Sequence, residues 1–325
     1  MQLPTLRQLE YIVAVAEEGR FGRAAQRCAV SQPALSKQIA EAEAVLGVQV
    51  FERSRPQLRV TVAGAAIVAQ ARRVLVAARE LAHVAAQSSG ELAGPIQLGC
   101  IPTLAPYVLP GLISALREAL PGLQVTLVEA KTAALLQDLR TGRLDVVLAA
   151  LPLDEGEGLV TRAAWEDPFV LAMPPEHRLA QQTGPLCLEA LRGEQLLLLE
   201  EGHCFRAQAL EVCAAGSGQE SWIAASSMTT LTLMVRQGLG ATLLPQSALE
   251  VELSRAPGLV VRRFTEPAPH RTVGLCWREG TALDGVIERL SAALALSPSQ
   301  RAAHQQSGSL AHDLADPIYS ASAGA

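Results

Sequence analysis

Aromatic residues make up only 3% of this 325-residue chain and charged residues only 18%, while Ala, Leu and Val are plentiful. Such a composition opposes disorder over most of the length and suits helices packed on sheets. No uncharged apolar run reaches the roughly 18 residues of a membrane span. The opening MQLPTLRQLEYIVAV also lacks a basic segment followed by an apolar core and a small-residue cleavage site. A cytoplasmic protein without membrane contact is therefore expected. Cysteine and histidine never cluster: the six cysteines, at 28, 100, 187, 204, 213 and 276, are spread thinly. That spacing predicts no metal site and no cofactor, and a reducing compartment would keep most of these residues as buried thiols.

A chain of this length exceeds a single core, so two or three domains are expected. The net charge of −5 hides an asymmetry, because residues 1–62 carry eight Lys or Arg against six acids. A mildly basic module on an acidic body fits a polyanion-binding headpiece.

Within that module Leu6, Leu9, Ile12, Val13 and Ala16 recur at helical spacing, and FGRAAQRCA from Phe21 gives a short second helix. Ser31 stands where a third helix needs its N-cap, with Pro33 in the first turn and Leu35, Ile39 and Leu46 on an inward stripe ending at Gly47. Two short helices joined by a tight turn make a helix-turn-helix, whose second helix enters the major groove. Its outward residues are Gln32, Pro33, Ser36 and Lys37. Gln bonds adenine bidentately, Ser adapts, and Lys reaches guanine or phosphate. Beyond Gly47, VQVFERSRPQLRVT reads as two short strands around a basic turn, a wing whose Arg53 and Arg55 would grip phosphates.

At SQPALSKQIAEAEAVLGVQVFERS, followed by LRVTVAG, the sequence resembles the winged helix-turn-helix of LysR-type transcriptional regulators. It matches their Ser-Gln-Pro-x-x-Ser start, LG turn, FER strand end and T-x-A-G entry to the next helix. Ala42 departs from the pattern, standing where the family usually has Leu. Residues 63–90 then form a long helix with a narrow stripe of Ile67, Val74, Leu75, Leu81 and Ala85 that wants a partner helix. The resemblance implies that this helix pairs two subunits, within a homotetramer, on successive half-sites of double-stranded promoter DNA.

From Gly94 strands and helices alternate, which predicts an α/β body of parallel strands with crossover helices. The expected arrangement is two Rossmann-like lobes, periplasmic-binding-protein-like, behind the winged helix-turn-helix domain (1–62) and linker helix (63–90). The first lobe is assigned to 91–164 and 269–297, the second to 165–268, and a disordered tail to 298–325. This is also the sensor arrangement that the LysR resemblance implies.

The stretch EEGHCFRAQALEVC holds Cys204 and Cys213 in one predicted helix. Nine helical residues rise about 13.5 Å and turn about 2.5 times, so the two sulfurs project from opposite faces, beyond the roughly 7 Å Cα limit of a disulfide. Either both are inert core thiols or the helix must unwind for them to meet. Cys204, after His203 at a helix N-terminus and near Arg206, favours thiolate, whereas Cys213 sits among apolar neighbours. Peroxide would make a sulfenic acid at Cys204, and Cys213 would condense with it.

Here LLLLEEGHCFRAQALEVC resembles the hydrogen-peroxide-sensing members of the LysR-type family, in its Gly-His-Cys triplet and its cysteine spacing. The similarity extends to GCIPT, EAKT, GATLLP and HRTVGL. It implies a peroxide pocket of Thr103, Thr132, His203, Cys204 and Arg271; read without it, the two threonines are candidate helix caps and Arg271 a surface ion-pair partner. It also implies RNA polymerase as a partner and a thiol reductant for resetting. Ala207 departs, since the family commonly has Asp there. Two other functions compete. One is a metabolite-responsive LysR-type regulator with structural cysteines. The other, a thiol peroxidase, leaves residues 1–90 without a role, so a non-enzymatic regulator is expected.

Overall fold

A computed structural model describes residues 3–295, apart from 53–57, 89–91, 154–155, 157 and 217. Arg53, Arg55 and the tail at 298–325 therefore lie outside the described residues. The chain divides into two compact units, residues 1–90 with 141–143, and residues 91–140 with 144–325.

In the first unit, α1 (Leu6–Glu18), α2 (Phe21–Arg27) and α3 (Gln32–Leu46) are followed by β1 (Phe51–Glu52), β2 (Arg59–Val60) and the 27-residue α4 (Val62–Ser88). Thr5 and Gln8 form a reciprocal capping box on α1, and the Ser31 hydroxyl accepts from the Ala34 amide to start α3. Ile12, Val15, Ala24, Leu35, Ile39, Ala42, Val50 and Phe51 make the core, so the small side chain at 42 is itself fully buried. Leu46, expected on the inward stripe, is only half-buried. The T-x-A-G motif has a geometric basis. The Thr61 hydroxyl accepts from the Gly64 amide at 2.8 Å, and a Cβ at Gly64 would lie 2.2 Å from the Val50 carbonyl oxygen. On α4, Val74, Leu81 and Val84 remain exposed, Leu81 at 71%.

The second unit contains β3 (Gly94–Cys100), α5 (Ala105–Ala119), β4 (Leu123–Glu129), α6 (Thr132–Arg140), β5 (Val146–Leu151) and the long β6 (Leu159–Met173). It continues through β7 (Gln195–Leu199), α7 (Cys204–Ala215), β8 (Gln219–Ala225), α8 (Met228–Arg236), β9 (Thr242–Pro245) and α9 (Leu249–Arg255). It closes with β10 (Val260–Arg263), β11 (His270–Arg278) and α10 (Asp284–Ala295). The sheet order is β10-β6-β11-β5-β3-β4, with β9 also on β6 and β7-β8 as a separate pair. Two cores result. Helices α5, α6 and α10 cover β3, β5 and β11 through Leu98, Leu112, Leu135, Leu148 and Ile287. Helices α7 and α8 cover β6, β7 and β9 through Phe169, Leu197, Phe205, Leu231 and Leu243.

The body is thus two α/β lobes, but its strands are not all parallel as alternation suggested. Parallel pairing holds for β4-β3-β5 and for β7-β8. β11 runs back between β5 and β6 and is antiparallel to both, and β6 is antiparallel to β9 and β10. Alternation of helix and strand does not record strand direction: β6 and β9 pair antiparallel although α7 and α8 lie between them in the chain. β6 changes partners along its length, pairing with β11 up to Pro168 and with β9 and β10 from Phe169 onward.

Candidate functional site

Helix α7 begins directly after Gly202, whose φ of +88° turns the chain, and after His203 as N-cap in extended conformation. Cys204 is its first residue. The helix sends Phe205, Ala209, Val212 and Cys213 into the core of the second lobe. Cys204 instead packs against the core of the first lobe. All six cysteines are free thiols. One helix therefore turns its two thiols toward two different cores, in line with the rotation expected from their spacing.

Cys213 is 3% exposed, and burial, followed by Glu220, pushes its thiol pKa up. Gly218 closes over it, since a Cβ there would lie 3.0 Å from the sulfur. Arg206, expected as a positive neighbour of Cys204, is engaged elsewhere: its guanidinium donates to the Leu199 carbonyl at 3.0 Å and pairs with Glu220. Ala207 is exposed. Cys100 and Cys276 are buried, Cys28 is half-buried and Cys187 is exposed.

Arg271 on β11 is not a surface residue; at 1% exposure it is the largest fully buried side chain among the described residues. Its Nε and Nη2 donate to Asp167 Oδ2 at 3.0 and 2.9 Å, Nη1 donates to the Thr103 hydroxyl at 3.0 Å, and Nη2 to the Thr103 carbonyl at 3.1 Å. The guanidinium also stacks over Phe205, 5.7 Å from the ring centre. Asp167, itself 1% exposed, accepts from the Ser247 amide and hydroxyl at 2.9 and 2.7 Å. Thr103 is accordingly no helix cap. Leu104 holds the N-cap position of α5 without a side-chain bond.

Thr132, the first residue of α6, keeps its hydroxyl buried without a hydrogen-bond partner. An orphaned buried hydroxyl is costly, and a small polar guest would satisfy it. His203 is 8% exposed; burial and then Lys131 lower its pKa against the opposing pull of Glu200, which favours the neutral imidazole. Thr103 and His203 share the wall of a cavity of about 360 Å³ with Tyr107, Lys131, Ser227 and Thr229. Thr132, Cys204 and Arg271 are not among its lining residues. At its edge the Tyr107 hydroxyl donates to Glu252 at 2.7 Å, and this carboxylate, fully buried, also accepts from Thr229 and Thr232 at 3.0 Å.

Asp167 and Ser247, which fix Arg271, were not singled out from sequence. Nothing in WEDPF or LPQSA marks either residue as its partner, because the contacts span 104 and 24 positions. In the first unit, Gln32, Pro33 and Lys37 are exposed at the start of α3 and Ser36 is half-buried.

A winged helix-turn-helix joined to a two-lobed α/β body with a cavity and two thiols on one helix defines a sensor-regulator. Residues 6–65 match the bacterial regulatory helix-turn-helix of the lysR family, and residues 89–296 match the LysR substrate binding domain. The chain belongs to the LysR family of DNA-binding transcriptional regulators. It is 41% identical over 290 residues to the DNA-binding transcriptional dual regulator OxyR of Escherichia coli, covering 89% of this chain and 94% of that one. A full-length OxyR variant from Pseudomonas aeruginosa is similar at a TM-score of 0.76 and 39% identity, over 93% of this chain and 98% of the other. A hydrogen-peroxide-bound OxyR cysteine mutant from Corynebacterium glutamicum is similar at a TM-score of 0.63 and 35% identity, over 99% of each chain.

Proposed function

We propose that this protein is a redox-sensing regulator of the oxidative-stress response, switched by hydrogen peroxide at Cys204. The Cys204 thiolate attacks one peroxide oxygen, the O–O bond breaks, and the departing hydroxide takes a proton and leaves as water. The resulting sulfenic acid then loses its hydroxyl as a second water when the Cys213 thiol displaces it, forming the disulfide. Peroxide is the two-electron oxidant throughout, and a thiol reductant reverses the change. The observation that carries this reading is that Cys204 and Cys213 sit on one helix, with Cys213 inside the second core and Cys204 half-buried against the first. A bond between them breaks α7, and a broken α7 cannot fill the second core as before. The unpartnered Thr132 hydroxyl, neutral His203 and the Thr103–Arg271 pair supply acceptors and donors for the two peroxide oxygens.

The readout is promoter DNA. Gln32, Pro33, Ser36 and Lys37 face the groove, with Arg53 and Arg55 on the phosphates, and exposed Val74, Leu81 and Val84 of α4 meet a second copy. Assembly of dimers into a tetramer and contact with RNA polymerase complete the proposed machinery in a cytoplasmic setting. Mass mapping after stoichiometric peroxide tests the reading, with a Cys204–Cys213 disulfide and a changed DNA footprint expected. If Cys204→Ser leaves the peroxide-dependent footprint intact, the redox reading is wrong. The cavity of about 360 Å³, with Thr103, Lys131, His203 and Ser227 on its wall, favours a second reading, a metabolite-responsive regulator with inert cysteines. Metabolite-induced thermal stabilisation of the Cys204→Ser protein would support it.

A further inference from the structure

Lys131 stands between β4 and α6, immediately before Thr132. Its Nζ donates to Glu200 Oε1 and to the Glu201 carbonyl, both at 2.8 Å. Its stem lies along Gly202, where a Cβ would come within 3.0 Å of Lys131 Cδ. Glu200, Glu201 and Gly202 form the loop from β7 into α7, directly ahead of His203 and Cys204. One side chain thus ties the first lobe to the segment that launches the reactive cysteine.

We propose that Lys131 is a positioning residue that clasps residues 200–202 in the reduced conformation and must release them when Cys204 moves to Cys213. The inference rests on the disulfide reading above. The geometry decides which end of α7 moves. Cys213 is locked in the second core under Gly218, whereas Cys204 is half-buried in the first turn, after a glycine at positive φ. Swinging Cys204 itself out displaces a half-buried side chain, whereas moving Cys213 would vacate a buried one. A movement that carries residues 200–202 along breaks both Lys131 hydrogen bonds. A contact made only in the reduced state stabilises that state alone and opposes disulfide formation.

The Lys131 and Glu200 side chains are 40% and 47% exposed, so the effect is modest. Loss of the clasp should speed disulfide formation by roughly two- to five-fold, the scale of an exposed ion pair joined by one backbone hydrogen bond. The chain contains only two lysines, Lys37 and Lys131, so amine-directed labelling reads the clasp directly. Lys37, with a side chain 77% exposed, is the internal reference.

The test uses full-length wild type, Lys131→Met and Lys131→Arg, oxidised with stoichiometric hydrogen peroxide, quenched by alkylation at set times and mapped by mass spectrometry. Lys131→Met should form the Cys204–Cys213 bond faster and at a more reducing midpoint in a dithiol buffer, and Lys131→Arg should return both toward wild type. In the wild type, Lys131 should label more slowly than Lys37 when reduced and gain reactivity on oxidation. Unchanged kinetics and midpoint in Lys131→Met, or equal Lys131 labelling in the two states, overturns the proposal while a wild-type disulfide leaves the redox reading standing. A wild type that forms no disulfide overturns both.

Discussion

Replacing Arg271 with Met should destabilise the protein by about 3–5 kcal/mol, because a buried ion pair broken on one side leaves an uncompensated charge. The side chain is 1% exposed and makes four hydrogen bonds of 2.9 to 3.1 Å to Asp167 and Thr103. Methionine fills much of the volume and keeps the contact with Phe205, so packing loss is a small part of the cost. Asp167, 1% exposed, would retain only the two bonds from Ser247. Neutralising it as well, in Arg271→Met with Asp167→Asn, removes the stranded charge and keeps an acceptor for Ser247. The double variant should therefore recover about 2 kcal/mol of coupling relative to the sum of the single changes. Urea unfolding of the reduced protein followed by circular dichroism measures each term from the midpoint at constant slope. A cost below about 1 kcal/mol for Arg271→Met, or a double variant showing no recovery, refutes the claim that charge compensation holds this part of the site.

Acid should weaken the reduced fold through His203. Its folded pKa lies below the ordinary 6.5, so the stability it contributes is complete above that value and is lost as pH falls through the folded pKa; His203→Gln should flatten urea midpoints measured across that window. Iodoacetamide should label exposed Cys187 and half-buried Cys204 well before Cys213, whose thiol is buried and shifted upward, as peptide mapping at neutral pH would show. In the headpiece, Ile39→Ala should cost about 2–5 kcal/mol by leaving a cavity, since this side chain is fully buried. Lys37→Ala should leave the fold intact and reduce the salt slope of DNA binding by about 1, measured by titration at several salt concentrations. Leu81→Glu on α4 should shift sedimentation toward the monomer, because a charge would enter the apolar contact proposed between copies.

Local signals served well wherever the structure depends on near neighbours. The Ser31 cap, the glycine after α3 and the Thr61 cap of α4 were readable because each acts within four residues. The opposed cysteines were readable for the same reason, since helical rotation alone separates them. Strand direction was not. β11 sits between β5 and β6, and its pairings depend on returns of the chain that no periodicity records. The first half of β6, LVTRAAWED, carries too little alternation of apolar and polar residues to announce a strand, and the short α9 and β10 offered no span for a period to register. At the site, the motif singled out Arg271 but could not show its burial or its partners, because these come from Asp167 and Thr103, 104 and 168 positions away.

The division of α7 between two cores also sets a clock. On the proposed mechanism Cys213 reaches a sulfenic acid at Cys204 only after the helix opens, so the rate of that step is set by a folding event. During that interval a small thiol would compete for the oxidised sulfur and erase a brief pulse. Only oxidation that outlasts the helix would then be written into the proposed disulfide, and α7 would separate sustained exposure from transient noise before any DNA is touched.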